Sequence, residues 1–407
     1  MKKSFAGLGL AALLAACGPR PTPTPTPAAS VTPAATPLTT AVPPPSHTAT
    51  EPPSPSPSPL PDATLTPAPT ATFSIETPVN GGHLLPGFSM SVYSQLTGGP
   101  TSLAFGPDQR LYAATDDGFI YAIADLDGNH QGDAIQQFAA ELTLPLGLAW
   151  IGDELYVSEQ GQVLALDDTD GDGAADSQRV VVSGLPSNGS HSNDGLVLGG
   201  DGFIYMGQGT TCDHCVENDP RSGTILRFRP DGLELSVFAR GLRNPYDLAF
   251  NNAGVLFATD NGRDDLGRDE PGEELNFIQE GQNYGWPNCW SGRAAPACAG
   301  TIQPVITFTA HSSANGLVFY NGGQFPPEYA DNAFVAILGP VNLFPDDPER
   351  GVMRVQLQRS GAGYTATREW FLDLPNGRPL DLAVGPDGGL YVADWENGLI
   401  LRVVYDG

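Results

Sequence analysis

The sequence predicts an all-β fold, a six-bladed β-propeller whose blades are four-stranded antiparallel sheets. An apolar triplet, a Gly/Asp turn and a second apolar strand recur six times along the chain. The copies follow one another at about 45 to 70 residues, the length that a four-stranded blade requires. No amphipathic helix of useful length interrupts them. A seven-bladed ring or a β-sandwich is the alternative.

Each triplet predicts the first strand of one blade. The six triplets lie at residues 103–105, 148–150, 196–198, 248–250, 317–319 and 382–384. The extended segment 88–96 is expected to pair with the C-terminal strand at 400–404. This pairing closes the ring and leaves no free sheet edge.

The composition of the first 79 residues does not favour a folded hydrophobic core. Met1-Lys2-Lys3, an apolar segment and small residues ending at Cys17 are typical of a bacterial lipoprotein signal, 1–17, with a lipid on Cys17. A short membrane helix fits worse, because the apolar run is shorter than the roughly 20 residues that span a bilayer. Pro, Thr, Ser and Ala dominate 18–79, which predicts a disordered tether. The propeller domain is then 80–407, exported and held at the outer face of a membrane only through the lipid.

The chain is strongly acidic. Its net charge is −27, and its only lysines are Lys2 and Lys3, so arginine supplies every strong cation of the folded domain. No basic patch is available to neutralise phosphates, which excludes nucleic acid as a partner.

Four cysteines remain once Cys17 is assigned to the lipid. An even number in an exported protein predicts two disulfides, Cys212 with Cys215 and Cys289 with Cys298. A metal site at the Cys-x-x-Cys motif is the competing interpretation, but it needs two further ligands nearby.

Polar side chains come a few residues before four of the triplets. They are His191, Arg243, His311 and Arg378. Because the inner strands of a propeller surround its axial channel, these residues are expected to meet at one mouth of that channel.

One acidic loop has the spacing of a calcium site. Asp168, Asp170, Asp172 and Asp176 alternate with glycines that permit a sharp turn. The loop lacks the glutamate that completes an EF-hand, and a solvated acidic hairpin explains it equally well. The run from Asp125 to Asn129 is a weaker version of the same pattern.

The stretch 240–287 carries the most specific motifs: Leu-Arg-Asn-Pro, Glu-Leu-Asn and Asn-Tyr-Gly-Trp-Pro, in that order. From about residue 86 to the C-terminus the chain resembles the quinoprotein sugar dehydrogenases. It is most similar to the branch called L-sorbosone dehydrogenases, related to soluble aldose sugar and glucose dehydrogenases that use pyrroloquinoline quinone (PQQ).

The resemblance implies a role for each polar residue. His191 corresponds to the base that takes the hydroxyl proton, and Arg243 to the cation beside the quinone oxygen, with Asn244 on the same edge. Arg378 corresponds to an arginine that binds a cofactor carboxylate. His311 matches a family histidine at the cofactor site whose role we do not assign.

The resemblance also implies a cofactor calcium ion. Backbone carbonyls around Gly267, Arg268 and Asp269 would hold a Ca²⁺ that bridges to the quinone. In the soluble glucose dehydrogenases an aspartate orients the base, and the resemblance implies Thr210 at that position of this chain.

The chain departs from the family in one segment. The resembled branch reads His-Gly-Ser-Trp-Asn-Arg where residues 338–343 read Leu-Gly-Pro-Val-Asn-Leu, so a cation is missing at Leu343. The lysine that binds the quinone in soluble glucose dehydrogenases has no counterpart, and Arg350 or Arg263 is the candidate substitute.

These features predict a tethered PQQ-dependent dehydrogenase of a sugar or polyol, with PQQ and Ca²⁺ as cofactors. No side chain accepts a hydride, and no Rossmann glycine motif is present to bind a nicotinamide. An external acceptor such as a cytochrome would take the electrons. The alternatives are a Ca²⁺-dependent lactonase, with Glu, Asn or Asp ligands in the channel, and a non-catalytic propeller that binds glycans or proteins.

Overall fold

Antiparallel strands make up most of the regular structure in the residues that the structure describes. The computed structural model describes residues 81–291, 293, 295–340 and 349–407. Within these ranges only short 3-10 turns, among them Pro296–Cys298 and Pro327–Tyr329, interrupt the strands. None of the helical turns in the described ranges is long or apolar enough to cross a membrane.

The strands follow the predicted repeat. The first half of the chain forms β1 (His83–Leu84), β2 (Phe88–Gln95), β3 (Pro100–Phe105), β4 (Leu111–Thr115), β5 (Ile120–Ala124), β6 (Ala134–Ala139), β7 (Gly147–Ile151), β8 (Glu154–Glu159), β9 (Gln162–Asp167), β10 (Ser177–Ser183), β11 (Asn193–Leu198), β12 (Ile204–Gln208), β13 (Thr224–Phe228) and β14 (Ser236–Arg240). The second half forms β15 (Leu248–Phe250), β16 (Leu256–Asp260), β17 (Gly272–Phe277), β18 (Ile306–Ala310), β19 (Ala314–Phe319), β20 (Ala333–Ile337), β21 (Gly351–Ser360), β22 (Gly363–Asp373), β23 (Pro379–Val384), β24 (Leu390–Asp394) and β25 (Leu399–Tyr405).

These strands form six sheets, the blades of a β-propeller, as predicted. Blades 1 to 4 are β3–β6, β7–β10, β11–β14 and β15–β18. Blade 5 is β19–β22, with the short β1 added outside β22. Blade 6 is β23–β25, completed by β2. Each predicted triplet lies in the first strand of its blade, so the six-bladed count is confirmed and the alternatives are wrong.

The N-terminal and C-terminal strands of the domain close the ring. Strand β2 pairs with β25 in antiparallel register from Phe88 opposite Tyr405 to Gln95 opposite Leu399. This confirms the predicted closure, in which one blade takes its outer strand from the beginning of the domain. Strand β25 is therefore paired on both sides, and β2 becomes the outer strand of the last blade.

Side chains at the start of the inner strands join neighbouring blades. The Asp381 carboxylate accepts a hydrogen bond of 2.7 Å from the backbone N–H of Leu103, which links blade 6 to blade 1. The Asp247 carboxylate accepts an equal bond from Leu317 and links blade 4 to blade 5. These bonds fix the inner strands around the channel, so the loops before the triplets meet at a defined place.

The hydrophobic core lies between the blades. In the contact of blades 5 and 6, Tyr320 stacks on Phe325 with ring centroids 4.1 Å apart. Phe334 and Phe371 meet edge to face nearby at 4.9 Å. Burying one such side chain contributes about 1.5 to 3 kcal/mol, so these contacts keep the blades in place.

Both predicted disulfides are present. Cys212 and Cys215 lie in the loop between β12 and β13, with their Cα atoms 5.7 Å apart. Cys289 and Cys298 lie in the loop between β17 and β18, with Cα atoms 5.2 Å apart. The disulfide takes both sulfur atoms of the Cys-x-x-Cys motif, so the metal interpretation is wrong. Cys17 lies outside the described residues.

Candidate active site

A cleft opens at one end of the axial channel. Blades 3, 4 and 5 supply its polar lining, which includes Ser190, His191, Ser192, Asp194, Asn244, Tyr246 and Asn315. Leu338 and Leu380 supply apolar walls from blades 5 and 6. Of the four pre-triplet residues predicted to meet at this mouth, His191 lines the cleft, and Asn244, the neighbour of Arg243, lines it as well. His311 and Arg378 are not among the lining residues.

His191 lies two residues before the start of β11, and its side chain is buried. Its backbone N–H donates to the carbonyl of Thr210 at 3.1 Å, which fixes the loop. The ring atom Nε2 is buried without a hydrogen-bond partner. Burial lowers the pKa of His191 to about 3, helped by the positive charge of Arg243. The imidazole is therefore neutral at physiological pH and has an unused nitrogen.

Arg243 and Asn244 lie between β14 and β15. Their backbone N–H groups donate to the Asp260 carboxylate, at 3.1 Å and 2.7 Å. The Arg243 side chain is buried, and its Nη1 also donates to the carbonyl of Asn261 at 3.1 Å. Oδ1 of Asn244 is buried without a partner. A charge and an amide are thus held next to His191.

Gly209 permits this close arrangement. A Cβ atom at this position would lie 2.5 Å from Cβ of His191 and 2.7 Å from Oδ1 of Asn244. Any side chain here would push the histidine and the amide apart.

Asp213 was not predicted as a site residue. Its carboxylate accepts a hydrogen bond of 2.8 Å from Nε of Arg243 and a second one from Nη2. It also acts on His191, whose pKa it raises against the larger effect of burial. Thr210, which the resemblance implied as the orienting residue, donates its hydroxyl to the carbonyl of Asp213 at 3.5 Å. The only sequence signal for Asp213 is its position between two disulfide-bonded cysteines.

Glu273 is a second buried carboxyl that the sequence did not indicate. It accepts hydrogen bonds from the backbone N–H groups of Gly262 at 2.5 Å and Ser313 at 3.3 Å. Burial raises its pKa to about 7. It therefore joins the loop after β16 to the loop before β19.

His311 holds the loop in which calcium ligands are predicted. Its Nε2 lies 2.6 Å from the carbonyl oxygen of Gly267, and its Nδ1 lies 3.0 Å from Oδ1 of Asp264. The Asp264 carboxylate raises the pKa of His311. Gly267, Arg268 and Asp269 themselves lie on an exposed loop between β16 and β17. His311 is thus a loop anchor rather than part of the cleft lining.

Arg378 is part of a cationic group beside the cleft. Its Nη1 lies 3.3 Å from the carbonyl oxygen of Leu338, a cleft residue, and its Nε lies 3.3 Å from Glu396. Arg350 lies 3.9 Å from the same Glu396 carboxylate. Burial lowers the pKa of Arg378, and the charge of Arg350 lowers it further. Two guanidinium groups thus share one carboxylate here.

Of the two candidate substitutes for the missing lysine, Arg350 is the one beside Arg378. Arg263 instead binds the exposed Asp265. The predicted loss of a cation at Leu343 lies outside the described residues.

The acidic loop predicted as a calcium site is the turn between β9 and β10. Carboxylate oxygens of Asp168, Asp170 and Asp176 lie within 4.8 Å of one another. Asp172 is not in this group, and its carboxylate accepts a hydrogen bond from the N–H of Ala174 at 2.8 Å.

The equivalent turn of blade 1, between β5 and β6, brings together Asp125, Asp127 and Asp133 in the same way. The weaker sequence pattern therefore has the same structure. Both turns lie on the outside of the propeller, away from the cleft.

The family of the chain follows from its sequence. A family model described as a domain of unknown function, DUF7133, matches residues 107–402. The chain belongs to the DUF7133 family. Aldose sugar dehydrogenase YliI of Escherichia coli is 28% identical to this DUF7133 protein over 255 residues, which cover 55% of this chain and 63% of the relative. The predicted resemblance to the sugar dehydrogenases is confirmed, whereas the sorbosone branch stays a prediction.

Solved structures share the fold of the DUF7133 chain. A calcium structure of a Trichoderma reesei enzyme of carbohydrate-active family AA12 matches with a TM-score of 0.70 and 19% identity, covering 82% of this chain and 99% of that one. The PQQ-bound aldose sugar dehydrogenase of Streptomyces coelicolor matches with a TM-score of 0.60 and 21% identity, covering 79% and 100%. Likeness at this identity establishes the propeller fold.

Proposed function

We propose that this DUF7133 protein is a PQQ-dependent dehydrogenase that oxidises a hydroxyl of an aldose or related polyol. The observation that carries the proposal is the buried, neutral His191, unpaired at Nε2 and next to Arg243 and Asn244. The aldose sugar dehydrogenases among its relatives support the substrate class.

His191 is the proposed base. A sugar hydroxyl bound in the cleft gives its proton to Nε2, which has no competing hydrogen-bond donor or acceptor. The positive charge that then develops on the ring is opposed by the Asp213 carboxylate, which already raises the pKa of His191. Burial, assisted by the charge of Arg243, keeps the ring neutral before the substrate arrives, because both lower that pKa.

The residues at the cleft fit an anionic, planar cofactor. When bound, PQQ supplies the hydride acceptor that no side chain provides. Arg243 and Asn244 would hold its carbonyl edge, and Arg378 with Arg350 would hold a carboxylate, since a guanidinium binds carboxylates in a fork. Arg350 and Arg378 both contact Glu396, and the Asp394 carboxylate also acts on the charge of Arg378, so two cations are held in place beside the cleft.

The loop at residues 267–269 fits the cofactor calcium in its chemistry. Backbone carbonyls are ligands that Ca²⁺ prefers, and the Gly267 carbonyl is fixed by His311. Gly267 has φ of +105°, a conformation that glycine adopts without strain.

The proposal also includes an electron acceptor and a location for the domain. We propose that the electrons pass to an external acceptor, such as a cytochrome. The signal pattern ending at Cys17 and the tether 18–79 support an exported domain, 80–407, held to a membrane through a lipid. Two disulfides suit an oxidising compartment.

A Ca²⁺-dependent lactonase is the second candidate. Asp194, Asn244 and Asn315 line the cleft, and carboxylate and amide oxygens are the ligands that this chemistry needs. This reaction uses neither quinone nor Arg243, so it is separable from the first candidate.

The test is dye reduction by the purified protein supplied with PQQ and Ca²⁺, across a panel of aldoses and polyols. His191→Ala is expected to lower kcat by about 10²- to 10⁴-fold, the usual contribution of a general base. His130→Ala is the matched control, because His130 lies on an exposed turn of blade 1 and is expected to leave kcat unchanged.

Other outcomes decide between the candidates. Full dye reduction by His191→Ala contradicts the proposed base. Hydrolysis of lactones without quinone supports the second candidate. A protein that takes up no PQQ in a fluorescence titration and hydrolyses no lactone is a non-catalytic binding propeller.

A further inference from the structure

Asp194 has an unusual environment for a buried carboxylate. It lies in β11, is 2% exposed and lines the cleft. Its Oδ2 atom is buried without a hydrogen-bond partner. The preceding residue, Asn193, has hydrogen-bond partners for both ends of its amide. Its Nδ2 donates to Oγ of Ser158 at 2.7 Å, and its Oδ1 accepts from the N–H of Gly161 at 2.8 Å. An ionised carboxylate without donors is costly to bury.

The surroundings of Asp194 add negative charge. Burial is the main cause that raises the pKa of Asp194, and the negative charges of Asp247 and Asp260 raise it further. Asp247 is itself stabilised by two backbone N–H donors, those of Leu248 and Leu317. Asp194 therefore lacks the hydrogen-bond donors that stabilise the negative charge of Asp247. Its carboxylate needs either a proton or a cation.

Two further oxygen atoms in the same cleft are unpaired. The Tyr246 hydroxyl belongs to a residue that is 8% exposed, and Oδ1 of Asn244 to one that is 3% exposed. Tyr246 also lies within electrostatic reach of Asp194, whose charge raises the pKa of the tyrosine. The cleft therefore holds two acceptor oxygens without a donor and one hydroxyl without a partner. Leaving such a group unpaired costs about 1 to 3 kcal/mol. Hard cations bind through such oxygen atoms.

We propose that the axial cleft binds a hard divalent cation, Ca²⁺ being the probe of choice, through the Asp194 carboxylate, with the oxygens of Tyr246 and Asn244 facing the same ion. This site is separate from the exposed loop at 267–269 and from the two outer acidic turns. The inference goes beyond the proposed dehydrogenase, because it involves no quinone, and it shares Asp194 and Asn244 with the lactonase candidate without requiring that any lactone is hydrolysed. The ion supplies the positive charge that Asp194 lacks and ties blades 3 and 4 together at the channel.

The experiment measures Ca²⁺ binding to the full chain after chelator treatment, without quinone, by calorimetry. The parent protein carries Asp125→Asn, Asp127→Asn, Asp168→Asn and Asp170→Asn, so that the outer turns do not contribute. Adding Asp194→Asn is expected to remove one bound ion per chain, or to weaken its affinity roughly tenfold or more, since the charge of the ligands sets Ca²⁺ affinity.

Thermal unfolding gives a second readout. Without Ca²⁺, Asp194→Asn is expected to match or exceed the parent in Tm, because an amide needs neither proton nor ion. Added Ca²⁺ is then expected to raise the Tm of the parent more than that of the variant. An equal number of bound ions and an equal gain in Tm would overturn the proposal and leave Asp194 as a protonated carboxyl.

If Asp194→Asn does not fold, Tyr246→Phe replaces it. Tb³⁺ bound at this site is excited through Tyr246, so the variant is expected to lose most of the tyrosine-sensitised emission of the parent. Unchanged emission would also overturn the proposal.

Discussion

Asp213 and Arg243 form a buried ion pair, in which the carboxylate accepts two hydrogen bonds from one guanidinium and each side chain is less than 10% exposed. The disulfide between Cys212 and Cys215 encloses Asp213. The pair therefore gives Arg243 a fixed direction next to His191, and the short disulfide loop limits how far Asp213 moves.

The first prediction concerns this pair. Asp213→Asn keeps the shape but removes the charge, so Arg243 loses its ion-pair partner and is held less firmly by its remaining hydrogen bond to the Asn261 carbonyl. Breaking a buried pair costs about 3 to 5 kcal/mol, so Tm is expected to fall. We expect kcat for sugar oxidation to fall, with little change in KM, because the substrate still enters the same cleft.

The matched control is Asp219→Asn, which breaks a partly exposed pair with Arg221. It is expected to change Tm and kcat little. A wild-type kcat in Asp213→Asn would show that Arg243 needs no fixed direction.

The second prediction concerns the dependence of activity on pH. Because burial and Arg243 lower the pKa of His191 to about 3, its ring stays neutral well below pH 6. Protonation of this base is therefore expected to leave kcat/KM unchanged from about pH 7.5 to about pH 5.5, where a base of pKa 6.5 would lose about tenfold.

In Arg243→Gln the depressing charge is gone, so the pKa of His191 rises. The residual kcat/KM of this variant is expected to begin its fall at higher pH than that of the wild type. If kcat/KM of Arg243→Gln begins to fall at the same pH as that of the wild type, the charge of Arg243 does not control the pKa of His191.

The third prediction concerns stability and Glu273. Its pKa is about 7 in the folded protein and 4.5 in a free side chain, so the folded state holds the proton more tightly. The free energy of unfolding therefore contains a contribution that is complete below pH 4.5 and disappears as the pH rises to about 7, worth roughly 3 kcal/mol.

The amide that Glu273→Gln introduces does not titrate, so the free energy of unfolding of this variant does not contain the pH-dependent contribution of Glu273. The Tm of the variant minus that of the wild type is expected to become more positive as the pH rises from about 4.5 to about 7. Thermal unfolding across this range measures it, and a difference independent of pH would refute the assignment.

The fourth prediction concerns the cationic group beside the cleft. Removing one charge, in Arg378→Gln or Arg350→Gln, is expected to weaken PQQ binding about tenfold or more, since each charge-assisted contact contributes about 1.5 to 3 kcal/mol. Glu396→Gln removes the competing carboxylate and is expected to strengthen binding. Fluorescence titration with PQQ measures all three.

Arg179→Gln is the control for this series, because Arg179 pairs with Glu154 on the outside of blade 2 and is expected to leave PQQ affinity unchanged. Equal affinity in all four variants would mean that the cofactor binds elsewhere.

The fold was predictable from the sequence because strand formation follows local periodicity. Each triplet, such as residues 103–105, alternates with a Gly/Asp turn at a spacing that only a blade satisfies, and six copies determine the ring. The disulfides were also predictable, because each pair is close along the chain and the loops are short. His191 was found through its motif and its place before a triplet.

The remaining parts of the site depend on contacts between distant segments. Arg243 and its partner Asp213 are 30 residues apart, and Leu103 and Asp381 are 278 apart. No local pattern marks Asp213, Asp194 or Glu273, since acidic residues are usually exposed and this chain contains many of them. The sequence alone determined the blades and their order, because apolar alternation acts over a few residues. Only the closed ring decided which carboxylates are buried and which donors reach them, because burial and hydrogen bonding arise when blades meet.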